Sequence, residues 1–340
     1  MHMSTSAIRY GPIYDPEIPG SRLLLQPKQL AQVLSSLLAS TSGDRTPCIH
    51  VHRCLPGKRC VASVDMTFVP APGCDVPEIR RFVIKLYSAG TGAEVFETLK
   101  RLQTSGFSSG RFTVCRPLAY DPIWRLLLLE RVSGESLGSR LLAENDSLQA
   151  AEDAARWLLA LHNCGLTEGR RYDFHRHLHT LASQGRELAG MFRRLGRLYA
   201  GLLSTIESQA RPLLHRSSAP THRDFTPEHV IWNHDHLTGV DFDEFCQYDP
   251  LFDVGHFIAH LRLMSLKHSA PGLERAARRF QAVYQAGAEG YSAPRVRLYQ
   301  AMSYLKLAYV VGVVERPRNW KDLVNALVGE AERITRESAM

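Results

Sequence analysis

Residues 221–253 crowd Asp224, Glu228, Asp235, Asp241, Asp243, Glu244, Asp249 and Asp253 around two short apolar runs, 230–232 and 237–240. Carboxylates this close repel one another and are costly to bury unless positive charge sits among them. A divalent cation carrying a polyphosphate is the usual answer, because hard cations take oxygen ligands and hold phosphates in turn. Whatever this chain folds into must therefore present an acidic turn to a cation, and that limits the architectures available to it.

The bulk properties leave room for such a site. At 340 residues and 44% hydrophobic, the chain can bury one large core or two smaller ones. The seven cysteines (48, 54, 60, 74, 115, 164 and 246) are scattered and nowhere form Cys-x-x-Cys, so neither a disulfide framework nor a zinc knuckle is expected. Reduced thiols in a cytoplasm are the expectation. Residues 1–20 lack a basic-then-apolar leader pattern, and the longest apolar run, 307–314, is too short to cross a bilayer. No membrane partner is expected. The formal charge of +7 comes from Arg and Lys spread along the chain without a basic, aromatic-interleaved block, so nucleic acid is an unlikely partner.

Along the chain the first 130 residues read mostly as strands: a hairpin around 53–60, alternation through 60–68, and the runs 81–87 and 124–132. A proline- and glycine-rich connection is expected at 69–78. Residues 93–102 place apolar side chains at 95, 96, 99 and 102, the spacing of a helix that packs one face. Beyond residue 145 the pattern becomes helical, over 148–162, 181–207, 254–267, 273–287, 294–314 and 320–337, interrupted only at 221–245. The fold class implied is α+β: a small β-rich lobe (1–132) and a larger helical lobe (133–340), with a cleft between them.

Asp224 precedes the first apolar run and Asp241 follows the second, with a polar turn at 233–236 between. Two strands joined by that turn bring both acids to one end of a hairpin. A base and a metal ligand would then stand side by side, which is most of what phosphoryl transfer requires, together with a Lys to fix nucleotide phosphates. Lys85, flanked by apolar residues in 82–87, is that Lys. It needs a carboxylate partner, and the helix after it offers Glu94 and Glu97; Glu94 lies nearer the apolar stripe and is favoured.

The order Lys85, helix, Leu126-Leu-Leu-Leu-Glu130, His222-Arg-Asp224, Asp241 resembles the protein-kinase-like fold. More narrowly, His222-Arg-Asp-Phe-Thr-Pro-Glu-His229, Val240-Asp-Phe-Asp243 and Tyr248-Asp-Pro-Leu-Phe-Asp-Val254 resemble the motifs of the aminoglycoside phosphotransferase and choline kinase superfamily. That resemblance covers roughly residues 50 to 315. It implies an ATP-dependent small-molecule kinase with Asp224 as catalytic base, Asp241 as principal Mg²⁺ ligand and Lys85 as phosphate lysine. The backbone of Glu130, Arg131 and Val132 would meet adenine, and Asp249 and Asp253 would hold the catalytic loop.

Two departures from the family pattern stand out. His229 occupies the slot where the family has a metal-contacting Asn; imidazole is a poorer Mg²⁺ ligand than oxygen, so either one metal is held loosely or Asp243 substitutes. A catalytically weak nucleotide-binding protein is the alternative this raises. The turn 55–59 has one Gly where a phosphate-covering loop would have several, and reads as a hairpin turn with solvated charges.

His256 and His260, four apart in an apolar segment, read as core histidines, and His175, His177 and His179 as surface ones. Arg186, Arg193 and Arg197 line one face of the helix expected at 181–207, with Leu188, Leu195, Leu198 and Leu202 on the other. In the resembled family, helices inserted here wall the acceptor pocket, so an anionic acceptor suits this face better than a polycationic one. Only residues 242–253 separate Asp241 from the next helix, too few for a long activation segment. The expected partner is a small hydroxylated acceptor.

Overall fold

In the computed structural model of the chain the residues described are 13–39, 46–68, 78–143, 147–213, 218–234 and 236–337. The chain divides between Ser133 and Gly134 into two compact units. The first is β-rich and the second larger and helical, the two-lobed α+β architecture of protein-kinase-like folds. The connection expected at 69–78 lies outside the described residues except for Glu78.

The N-terminal unit opens with a 3₁₀ turn (Pro19–Leu25) and α1 (Pro27–Leu37). Then come β1 (Cys48–Leu55), β2 (Arg59–Phe68), β3 (Glu78–Tyr87), α2 (Thr91–Leu102), β4 (Phe112–Val114), β5 (Pro117–Asp121) and β6 (Leu126–Glu130). The mostly-strand expectation fails at 19–37. Pro19 and Pro27 stand in first turns, where their fixed φ favours helix, and Leu23, Leu24, Leu30, Ala31 and Leu34 repeat at helical intervals into the core.

An antiparallel sheet of order β1-β2-β3-β6-β5 carries the unit. On β3, Phe82, Ile84 and Leu86 join the buried cluster that includes α1, so Val83, Lys85 and Tyr87 point to the opposite face. That face carries α2: a Cβ on Gly92 would come within 2.7 Å of the Tyr87 ring.

The cysteine expectation is corrected here. Cys54 and Cys60 face each other across the β1–β2 hairpin and form a disulfide. The turn between them pairs the two strands in a register that brings the side chains together, although their spacing resembles no familiar cysteine motif. The other described cysteines, Cys48, Cys115, Cys164 and Cys246, are free thiols.

The C-terminal unit contains β7 (Glu135–Ser136), α3 (Leu137–Leu142), α4 (Ser147–His162), α5 (Phe174–Met191), α6 (Arg193–Ala210), β8 (Ala219–Thr221), β9 (Val230–Asn233), β10 (His236–Gly239) and β11 (Cys246–Tyr248). Its last helices are α7 (Leu251–His268), α8 (Leu273–Gly287), α9 (Ala293–Tyr309) and α10 (Trp320–Glu337). Strands β7, β9 and β10 pair antiparallel in that order, and β8 pairs with β11.

The single helix expected at 181–207 is a hairpin of two, broken at Phe192 (φ −141°, ψ 82°). Gly190 stands two residues before the break, and a lone Gly inside a helical pattern does not by itself end a helix. Gly185 against the Tyr199 ring and Gly196 against Ala189 let α5 and α6 approach closely, and the reversal exploits that contact. The buried side of α6 is Gly196, Tyr199, Leu202 and Ile206; Leu198 is exposed, as are Arg186, Arg193 and Arg197. His177 is likewise buried, packed on Phe252, rather than on the surface with His175 and His179.

Candidate active site

The hairpin β9–β10 sets the site. Its register pairs Val230 with Gly239 and Asn233 with His236, and the Val240 amide donates to the His229 carbonyl at 2.9 Å. Asp224 and Asp241 therefore stand at the same end, as the polar turn in the sequence implied. Arg223 and Asp241 adopt left-handed φ values of 66° and 63°, strain that persists only where the surroundings fix the backbone.

Two supports fix it. Beneath the loop, Trp157 of α4 stacks on Phe225 (5.4 Å between centroids), Phe225 on Phe257 (5.0 Å) and Phe257 on Phe280 (4.3 Å). Gly239 makes room for the column, because a Cβ there would lie 2.2 Å from the Trp157 ring. Beside the loop, buried Asp253 in the first turn of α7 accepts from the backbone amides of His222 and Arg223, both at 2.8 Å. Asp249 is held by a two-point contact from Arg295 (2.6 and 3.0 Å) and by the Tyr299 hydroxyl at 3.1 Å. These two acids tie the loop to α7 and α9.

Around Asp224 the groups are mostly basic. The Lys306 ammonium on α9 donates to Oδ1 at 2.9 Å, and His256 Nε2 on α7 donates to the same oxygen at 3.3 Å. Ser303 Oγ, 3.1 Å from His256 Nδ1, donates in turn and fixes that tautomer. Desolvation pushes the Asp224 carboxyl up, but Lys306, His256 and His229 together outweigh it and hold the group well below the usual carboxylate range. Burial, reinforced by Lys306, lowers the His256 imidazole to about 4, so it is neutral at physiological pH. His260, edge-on to His256 at 4.6 Å, is pushed well down by burial and by that neighbour.

Lys306 and His256 are site residues that sequence reasoning missed. The signal for Lys306 was present: it interrupts the apolar run 304–308, as Lys85 interrupts its own strand. His256 was read as a core histidine; it is fully buried, yet its ring ends on the carboxylate.

Asp241 faces His229. The His229 Nδ1 donates to the Asp224 backbone carbonyl at 2.7 Å, and its Nε2 lies 3.6 Å from Asp241 Oδ2. Asp243 is buried in the short turn that follows. Among the described residues no group of three or more His, Cys, Asp or Glu could by itself hold a metal ion. The local donor set of one imidazole nitrogen and one carboxylate oxygen fits a divalent cation whose remaining ligands come from phosphate and water, the usual arrangement at nucleotide sites.

In the N-terminal unit Lys85 is 5% exposed, opposite Val61 of β2 and Leu127 of β6, in an interior strand rather than at an edge. Glu94 and Glu97 are both exposed on α2, with Glu97 3.5 Å from Lys100, so the inward position expected of Glu94 is not found. The buried side of α2 is Gly92, Val95, Leu99 and Leu102. The Glu130 carboxylate accepts from Arg116 at 2.7 Å and Arg131 reaches Asp65 at 3.3 Å; their amides donate to Arg116 and Arg81 carbonyls. Lys58 is exposed in the turn at 55–59, and Gly57 is fixed there by its amide donating to Asp15 at 2.7 Å.

A β-rich lobe with a buried strand lysine, followed by a helical lobe with an ionised aspartate at a hairpin end, defines a protein-kinase-like phosphotransferase fold. The chain belongs to the phosphotransferase enzyme family, whose model matches residues 75–263. No curated protein matches it by sequence. Among solved structures it is similar to a thermostable mutant of aminoglycoside phosphotransferase APH(4)-Ia in complex with ADP and hygromycin B (16% identity, 91% of this chain and 98% of that one, TM-score 0.60). It is also similar to spectinomycin phosphotransferase APH(9)-Ia with ADP and spectinomycin (10% identity, 92% and 97%, TM-score 0.57). A third likeness is to an ethanolamine kinase of Plasmodium vivax (12% identity, 86% and 83%, TM-score 0.54). At these identities the likeness is one of fold.

Among the described residues no helix is long and apolar enough to cross a membrane.

Proposed function

We propose that the chain is an ATP- and Mg²⁺-dependent kinase that phosphorylates a hydroxyl of a small acceptor, within the aminoglycoside phosphotransferase and choline kinase group. The observation that carries this reading is the position of Asp224: ionised, at the hairpin end that also bears Asp241, with its two oxygens unequally engaged. Oδ1 is taken by Lys306 and His256, whereas Oδ2 has the His229 ring at 3.6 Å as its neighbour. Oδ2 is thus the oxygen assigned to the acceptor hydroxyl. Phosphoryl transfer of this kind demands positioning more than strong basicity, so a carboxylate of low pKa is adequate.

Asp241 and His229, with Asp243 behind them, would hold Mg²⁺, which when bound would neutralise charge on the nucleotide phosphates. Lys85 is the proposed phosphate anchor, and the exposed Glu94 is not assigned as its partner. With the Glu130 and Arg131 amides committed within their own unit, the backbone at Val132 is the part assigned to adenine. Lys306 beside the base favours a neutral or anionic acceptor over a polycation.

The test is mass spectrometry of a metabolite extract incubated with ATP and either the wild type or Asp224→Asn. A species heavier by one phosphate, absent with the variant, supports the proposal and names the acceptor. ATP-dependent stabilisation with no such species selects the second reading, a nucleotide-binding protein with little turnover, which the imidazole of His229 in the metal-contacting slot and the single Gly of the turn at 55–59 favour.

A further inference from the structure

His229 is not a passive stand-in for an amide. Its Nδ1 lies 2.7 Å from the Asp224 carbonyl oxygen, which can only accept, so Nδ1 carries the hydrogen. In the neutral ring Nε2 is then a bare lone pair. That lone pair stands 3.6 Å from Asp241 Oδ2, a second electron-rich atom. The separation is one that a single ion bonded at about 2.0–2.2 Å to each atom can span.

We infer that His229 Nε2 and Asp241 Oδ2 form a mixed nitrogen and oxygen cation site that selects Mn²⁺ over Mg²⁺. The inference rests on the phosphotransferase reading and revises it in one respect, with Mn²⁺ in place of Mg²⁺ as the preferred ion at His229 and Asp241. Mg²⁺ is a hard ion that keeps oxygen ligands and water, whereas imidazole nitrogen suits the first-row transition ions, of which Mn²⁺ is the most oxygen-tolerant and the most compatible with phosphate. Two protein donors alone bind weakly, so occupancy depends on a polyphosphate completing the sphere. The backbone carbonyl of Asp224 holds the ring by its other nitrogen, the outer hydrogen bond that orients metal-binding imidazoles generally. One consequence is geometric: the residue that carries the base also orients the metal ligand.

The experiment uses the full-length chain, Mn²⁺ and the β,γ-methylene analogue of ATP, with bound Mn²⁺ read by electron paramagnetic resonance. Pulsed spectra of the wild type are expected to show modulation from a directly bound ¹⁴N, persisting when the nitrogen-free methylene triphosphate without a base replaces the nucleotide. In His229→Asn that modulation disappears, and the Mg²⁺ concentration that displaces half the Mn²⁺ falls about tenfold. Asp241→Asn loses most bound Mn²⁺. Nucleotide-dependent Mn²⁺ binding without ¹⁴N modulation, or an unchanged displacement ratio in His229→Asn, overturns the inference alone and indicates an imidazolium paired with Asp241. Absence of any nucleotide-dependent Mn²⁺ binding overturns both the inference and the kinase reading. Thermal melting of each variant verifies that it is folded.

Discussion

Asp224 shows what a single side chain owes to its neighbours. Lys306 and His256 reach the same carboxylate oxygen from α9 and α7, at sequence separations of 82 and 32 residues. Replacing Lys306 with Met removes the strongest of the influences that lower its pKa, so the Asp224 carboxyl should rise toward the ordinary carboxylate value, measurable by ¹³C titration of the side chain. The His256 ring gives a second expectation. Its pKa falls from 6.5 to about 4 on folding, so the unfolded chain binds more protons between those values and stability is lost as pH falls through that window. The shift corresponds to roughly 3 kcal/mol at most, and the buried His177, His222 and His260 act in the same direction. Asp224, a carboxylate whose pKa is also depressed, adds its own loss at still lower pH. Urea melts between pH 7 and 4 should show the decline, and His256→Gln should make it shallower. At this scale the sequence disclosed the acids but not their partners. The polar turn between the apolar runs placed Asp224 and Asp241 together, whereas helical periodicity says only which face His256 and Lys306 occupy, not what they meet there.

Helix contacts decide those partners. Gly255 of α7 lies against α9, where a Cβ would meet the Gln300 amide nitrogen at 2.6 Å and the Val296 carbonyl oxygen at 2.8 Å. Backbone atoms cannot step aside as a flexible side chain can. Gly255→Ala should therefore push the two helices apart, lower stability by about 1–3 kcal/mol, and loosen the His256 and Lys306 contacts to Asp224 together. Calorimetry reads the first effect, and the Asp224 titration the second. The elements themselves were legible to different degrees. The helices at 273–287 and 320–337 coincide with α8 and α10 because their apolar stripes are uninterrupted and buried on one side. The break at Phe192 was not legible, since nothing in its local chemistry forbids helix and only the close packing of Gly185 and Gly196 explains the reversal. The end of α9 at Tyr309, followed by a wider π-type turn over Val310–Glu315, was hidden for the same reason: its apolar pattern runs straight through.

At the scale of the whole molecule, the two units have separate cores, and among the described residues only the N-terminal one carries a covalent cross-link. The division into a β-rich and a helical part was visible as a change of period near residue 145. The cross-link was not, because cysteine spacing alone says nothing about which strands face each other. Cys54 and Cys60 close a short loop, so the entropic gain of the bridge is small, on the order of 2 kcal/mol. Its effect should also be local, since the constraint acts on the β1–β2 hairpin and the cluster formed by Cys54, Cys60, Ala62 and Val64 with Leu30 and Leu34. Reduction, or the double replacement of both cysteines by Ser, should accelerate amide exchange across residues 48–68 while leaving 221–253 at its original rate. Hydrogen exchange followed by mass spectrometry on the full chain separates the two segments. Equal acceleration in both would mean that the cores unfold as one cooperative body and that the division at Ser133 has no thermodynamic counterpart.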